Sequence, residues 1–209
     1  SSRKLWLATF TILYVIGNFN LNIEALIFNV TDQAQNARLM LSGIPISIIE
    51  AILLAYLFGK HKMATPAITN FAHRKFHHWL AKILAGNFLY FLFYVTAGML
   101  LSFLTPRFND FYADKIPPFI TIILTNMFFR GFVFVAITIL IDRTTSGNKW
   151  SKAILIGSIF AIVGGIAPLI PPSDYMPEFI RRAHGFEVGI SNFLYGLCTF
   201  LIVRSKPTV

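Results

Sequence analysis

The chain has 209 residues, 56% of them hydrophobic and 15% aromatic, with 22 phenylalanines and a formal net charge of +9. Charged residues make up 13%, about half of the roughly 25% usual in a soluble domain, which excludes an ordinary water-soluble fold and points to lipid as the solvent. The basic residues are scattered between apolar runs rather than gathered in one patch, which excludes a nucleic-acid partner, and the lone Cys198 excludes a disulfide or a cysteine metal site within the chain.

A spanning helix needs about 20 mostly apolar residues. Six segments meet that need, at 5–29, 38–59, 78–104, 118–141, 152–171 and 184–203. The predicted fold is therefore all-α, a polytopic six-helix transmembrane bundle forming a single domain over residues 1–209. Arg3 and Lys4 precede the first run, which continues into GNFNLNIEALIF without a small-residue cleavage site. That pattern predicts a retained span rather than a signal peptide.

Along the first span, Asn18 and Asn22 form one i, i+4 pair, and Asn20 and Glu24 another. The second pair is the one expected to face inward, because a carboxylate at bilayer depth needs a partner. The second span carries Gly43, Pro45 and Glu50, with a bend or close helix approach expected at the first two. Before the third span stands AHRKFHHW, residues 72–79. It is read as an interfacial segment, aromatics at headgroup level and bases on anionic lipid. TPRFNDFYADKIPP is read as a connector.

On the fourth span Asn126 and Arg130 share a face at i, i+4. Arg130 is expected within reach of Glu24, Glu50 or Glu187, because an unpaired charge at that depth costs about 2.5–3.5 kcal/mol. Gly164, Gly165 and Pro168 predict a bend or close helix approach in the fifth span. The sixth span opens unlike a lipid-facing helix: His184, Glu187, Ser191 and Tyr195 fall at i, i+3, i+7 and i+11, one stripe, with Asn192 beside it.

Loop charges orient the bundle. Arg3, Lys4, Lys60, Lys62, Arg74, Lys75, Arg143, Lys149, Lys152, Arg204 and Lys206 fall on one side; Arg38, Arg107, Lys115, Arg181 and Arg182 fall on the other. The positive-inside rule then predicts both termini cytoplasmic. In that frame Glu24, His184 and Glu187 lie in the outer half of the membrane.

These residues predict an outward-facing polar pocket built from Asn20, Glu24, Asn126, Arg130, His184, Glu187, Ser191, Asn192 and Tyr195, with walls from the first, fourth and sixth spans. His184 and Glu187 with Glu24 would give three metal ligands, but no second histidine lies on that side, so no metal site is assigned. No motif names a cofactor. Three functions fit: a small-molecule binder or transporter; an intramembrane enzyme acting on a lipid-borne substrate, with Glu187 or Glu24 as general acid or base, His184 as its partner and Arg130 as an anion stabiliser; or a structural subunit whose polar groups pair among themselves. The partners implied are the lipid bilayer and either a second copy or a membrane-complex subunit.

Overall fold

The computed structural model describes residues 2–58 and 75–204. Lys60, Lys62, Arg74 and Lys206, which enter the charge count, lie outside the described residues, as does the 72–74 part of the histidine-rich segment. Among the described residues there are only helices and irregular connections. Six helices are long and apolar enough to cross a membrane: α1 (Leu5–Ile27), α2 (Gln33–Phe58), α3 (Phe76–Leu104), α5 (Phe119–Thr144), α6 (Lys149–Leu169) and α7 (Glu178–Arg204). A short helix, α4 (Pro106–Tyr112), joins α3 to α5. The chain is an all-α, multi-pass membrane protein built as a six-helix bundle. Six crossings put the start of α1 and the end of α7 at the same end of the bundle.

The helix starts have local causes. Asp32 caps α2: its carboxylate accepts from the Gln35 N–H at 2.8 Å, while the Gln35 side chain accepts from the Asp32 N–H at 3.2 Å, a reciprocal capping box. This brings the helix start forward from the expected 38 to Gln33. The Asn148 side chain caps α6 in the same way, accepting from the Ser151 N–H at 2.8 Å. The sixth span begins at Glu178 rather than 184. An acid in the first turn suits the helix dipole, and Glu178 pairs with Arg182 one turn on. Arg181 and Arg182 are therefore helical, not connector. The connector after α3 holds α4, which starts with Pro106 in the first turn, where its missing N–H costs nothing.

The core sits between α3, α5, α6 and α7. Phe134, Phe160, Tyr195 and Tyr90 pack ring against ring, with centroids 4.8 Å (Phe134–Phe160), 4.9 Å (Tyr90–Phe134) and 5.1 Å (Tyr90–Tyr195) apart. α6 and α7 approach closely at Gly157 and Gly196. A Cβ on Gly157 would lie 2.7 Å from the Phe193 carbonyl oxygen, and one on Gly196 2.9 Å from the Gly157 Cα. Small residues at such a crossing let backbones meet, the usual route to helix association in lipid. Toward the end shared by the termini, Asp142 and Lys152 form a fully buried ion pair at 2.8 Å. The sequence places both in a connector; the ends of α5 and α6 instead fold inward around them.

Three spans are not plain α-helices. Each holds a five-residue π segment: Val15–Phe19 in α1, Asn126–Arg130 in α5 and Ile162–Ile166 in α6. Those of α1 and α6 touch through glycines, a Cβ on Gly17 meeting Val163 and one on Gly164 meeting Ile16. Of the bend or close helix approach expected around Gly164, Gly165 and Pro168, the close approach is present: a Cβ on Gly165 would also lie 3.0 Å from Val188 Cγ1 of α7. A π turn widens the helix by one residue and is frequent at functional sites.

Candidate functional site

The π segments of α1 and α5 border one buried polar cluster. Arg130, the last residue of the α5 segment, is 4% exposed. Its Nη2 donates to Glu24 Oε2 at 2.6 Å, its Nε to Asn20 Oδ1 at 3.1 Å and its Nη1 to Asn126 Oδ1 at 3.1 Å. Asn126 in turn donates to the Ile122 carbonyl at 2.8 Å. The guanidinium also lies 5.4 Å and 5.3 Å from the ring centres of Tyr90 and Tyr94, a cation–π setting that adds to the charge pairing. Of the three carboxylates within reach by sequence, Arg130 pairs with Glu24. Glu50 stands elsewhere, exposed on α2.

Beside this cluster lies a cavity of about 750 Å³, at the end of the bundle away from the termini. Its polar lining includes Glu24 and the α7 pair His184 and Glu187, together with Asn18, Asn22 and Asn109. His184 Nδ1 and Glu187 Oε2 are 2.9 Å apart. Glu187 Oε1 makes no hydrogen bond among the described residues. Most of the remaining lining is apolar, including Leu21, Phe28, Val95, Met99, Phe119 and Leu169. α4 closes the cavity from the connector side with Phe108 and Tyr112. Burial, reinforced by the charges of Glu24 and Glu187, pushes the Tyr112 phenol up, so it stays a neutral hydrogen-bond donor. Arg181 borders the cavity too, and its Nε has no hydrogen-bond partner.

The structure sorts the nine sequence-predicted site residues by depth. Glu24, His184 and Glu187 line the cavity. Arg130 stands behind Glu24 and holds it, and Asn20 and Asn126 accept from Arg130 in turn. Ser191, Asn192 and Tyr195 lie deeper, around a second void of about 10 Å³ that also touches Glu187, Tyr90 and Arg130. Ser191 donates to the Val188 carbonyl, and Asn192 to the Phe160 and Gly164 carbonyls beside the α6 π segment. Tyr195 is fully buried in the aromatic core. The expected walls were the first, fourth and sixth spans. α3 is a further wall, through Tyr94, Val95, Gly98, Met99 and Ser102. The signal for it was present: Tyr90 and Tyr94 are an i, i+4 pair, tyrosines at a depth where a hydroxyl needs a partner. Among the described residues no group of three His, Cys, Asp or Glu side chains is placed to hold a metal ion.

Compared with known protein families, curated proteins and solved structures, the chain matches none. The class is therefore defined by fold and site alone: a six-span membrane protein with a cavity at one end of its bundle whose lining includes two carboxylates and an imidazole.

Proposed function

We propose that this protein binds a small amphipathic molecule in the cavity, as a receptor site or as the entry step of transport, and that the cavity faces outward from the cytoplasm. The observation that carries this reading is the division of the lining. A cavity of about 750 Å³ is within the range of ligand sites, which are mostly apolar with a few convergent polar groups. Here the apolar walls suit a hydrocarbon or ring body. The polar end offers Glu187 Oε1 as an acceptor with no donor among the described residues, so it suits a ligand whose head donates hydrogen bonds.

Gly98 supplies the test. It lines the cavity, and a Cβ built there meets nothing within 4 Å. Gly98→Trp should therefore fill the cavity without straining α3. Purified protein in nanodiscs is titrated with a dansyl-labelled alkylamine and with the matching alkyl carboxylate. The expected result is saturable binding of the amine that Gly98→Trp lowers at least about tenfold, the loss of roughly 1.4 kcal/mol or more. Binding unaffected by Gly98→Trp would refute the site, and tighter binding of the carboxylate, through Arg181, would refute the donor-head assignment.

The orientation rests on the excess of lysine and arginine at the end holding the termini. Reporter fusions after residues 110 and 209 should report opposite compartments, with 209 cytoplasmic; matching compartments would overturn it. A second reading is favoured by the His184–Glu187 pair at 2.9 Å: acid–base chemistry on a lipid-borne substrate, with the carboxylate orienting the imidazole.

A further inference from the structure

α2 meets the rest of the bundle along one stripe. Asn36, Gly43, Ser47 and Ala51 are its buried residues, and its Leu39 and Met40 carbonyls accept from Asn18 and Tyr14 of α1. The remaining surface is apolar and open: Leu41, Ile46, Ile49, Leu53 and Leu57 each expose more than half of their area. For five aliphatic side chains in a membrane this requires only lipid. Glu50, exposed among them, requires more.

The apolar run of α2 extends from Leu39 to Phe58. At 1.5 Å per residue Glu50 lies about 16 Å from one end and about 12 Å from the other. A carboxylate on two methylenes does not reach the headgroups from there, and a charge at such depth is strongly disfavoured without a partner. The described residues supply none. Among the described residues no ion pair includes Glu50, and the bases at membrane depth, Lys82, Arg130 and Lys152, are buried. A second copy related by rotation about the membrane normal would bring Glu50 of one copy to the depth of Glu50 of the other, like charge against like. No lipid-facing base of another copy stands at that depth among the described residues.

We propose that the exposed face of α2 docks a transmembrane helix of a different protein, one carrying a lysine or arginine in the middle of its span, with Glu50 as the anchor. The apolar rows on either side of Glu50 pack against that helix, and the ion pair sets register and specificity. In lipid, where burial of apolar surface does not drive association, polar contacts and packing decide which helices pair.

The test uses the full chain in lipid vesicles with an acceptor fluorophore near its C-terminus. It is mixed with donor-labelled polyleucine transmembrane peptides that differ only at the central residue: lysine, leucine or glutamate. Energy transfer should show the lysine peptide associating about tenfold more tightly than the leucine peptide, consistent with one polar interhelical contact, and the glutamate peptide no better than leucine. Glu50→Leu should abolish the preference for lysine, and Glu50→Lys should transfer it to the glutamate peptide. Equal association of the lysine and leucine peptides with the wild-type chain overturns the proposal and needs no variant. So does a lysine preference that survives Glu50→Leu. Self-association of labelled wild-type chain that Glu50→Leu removes would assign the face to a second copy and overturn it as well.

Discussion

Arg130→Met should destabilise the protein by about 3 kcal/mol, the low end of the roughly 3–5 kcal/mol seen when one partner of a buried ion pair is removed. Arginine does not lose its proton in proteins, so wild-type Arg130 is a permanent cation, and its three polar partners, Glu24, Asn20 and Asn126, are arranged around that charge. Methionine fills much of the volume between Tyr90 and Tyr94 but donates nothing. It leaves a carboxylate and two amide oxygens facing one another. Glu24 borders the cavity and keeps 13% of its side-chain surface exposed, so water relieves part of the cost, hence the low end. Thermal unfolding in detergent, with the yield of folded protein, measures the loss. The double variant Arg130→Met with Glu24→Leu should recover most of it, because no charge is then stranded. Failure to recover would assign the loss to the contacts of the guanidinium with the two tyrosine rings. Wild-type stability for Arg130→Met alone would mean that the cluster is not held by its charge.

That cluster was partly legible in the sequence, and the reason is periodicity. Asn20 with Glu24 and Asn126 with Arg130 are i, i+4 pairs, and such spacing places both members on one helix face whether the helix is buried or not. The six spans were legible because apolar runs of spanning length have few other uses. Glu50 shows the limit. Helical spacing and depth made it as good a partner for Arg130 as Glu24, and only the position of α2 at the edge of the bundle removes it. The π segments have no such signature in residue type. Each adds one residue to a turn and rotates everything beyond it by about 100° relative to an unbroken α-helix, so a face counted from one end of α1, α5 or α6 does not carry through to the other. α4 was hidden for another reason. Its seven residues are too short for a hydrophobic period to emerge, and its proline and asparagine are the usual marks of a loop.

The stripe on α7 is one face with two environments, and this sets the expectation for Glu187→Gln. His184 and Glu187 reach the cavity, while Tyr195, two turns further on, is in the aromatic core. Glutamine keeps the shape of the side chain and an acceptor for His184, but loses the charge. The partner left behind is an imidazole, which, unlike a guanidinium, is able to be neutral at physiological pH. No buried cation is stranded, and the remaining contact is an i, i+3 pair, worth about 0.2–0.5 kcal/mol on a helix surface. Glu187→Gln should therefore shift stability by less than about 1 kcal/mol, far below Arg130→Met. Its effect on ligand binding should be much larger. A hydrogen bond to a charged acceptor is worth about 1.5–3 kcal/mol, so affinity for the dansyl-labelled alkylamine should fall by a factor on the order of 10 to 100. The two readouts are taken on the same preparation, unfolding in detergent and titration in nanodiscs. A stability loss matching that of Arg130→Met would make His184–Glu187 a structural ion pair and remove the polar end of the proposed site. Unchanged stability with unchanged binding would leave the cavity intact but place the ligand head elsewhere in it.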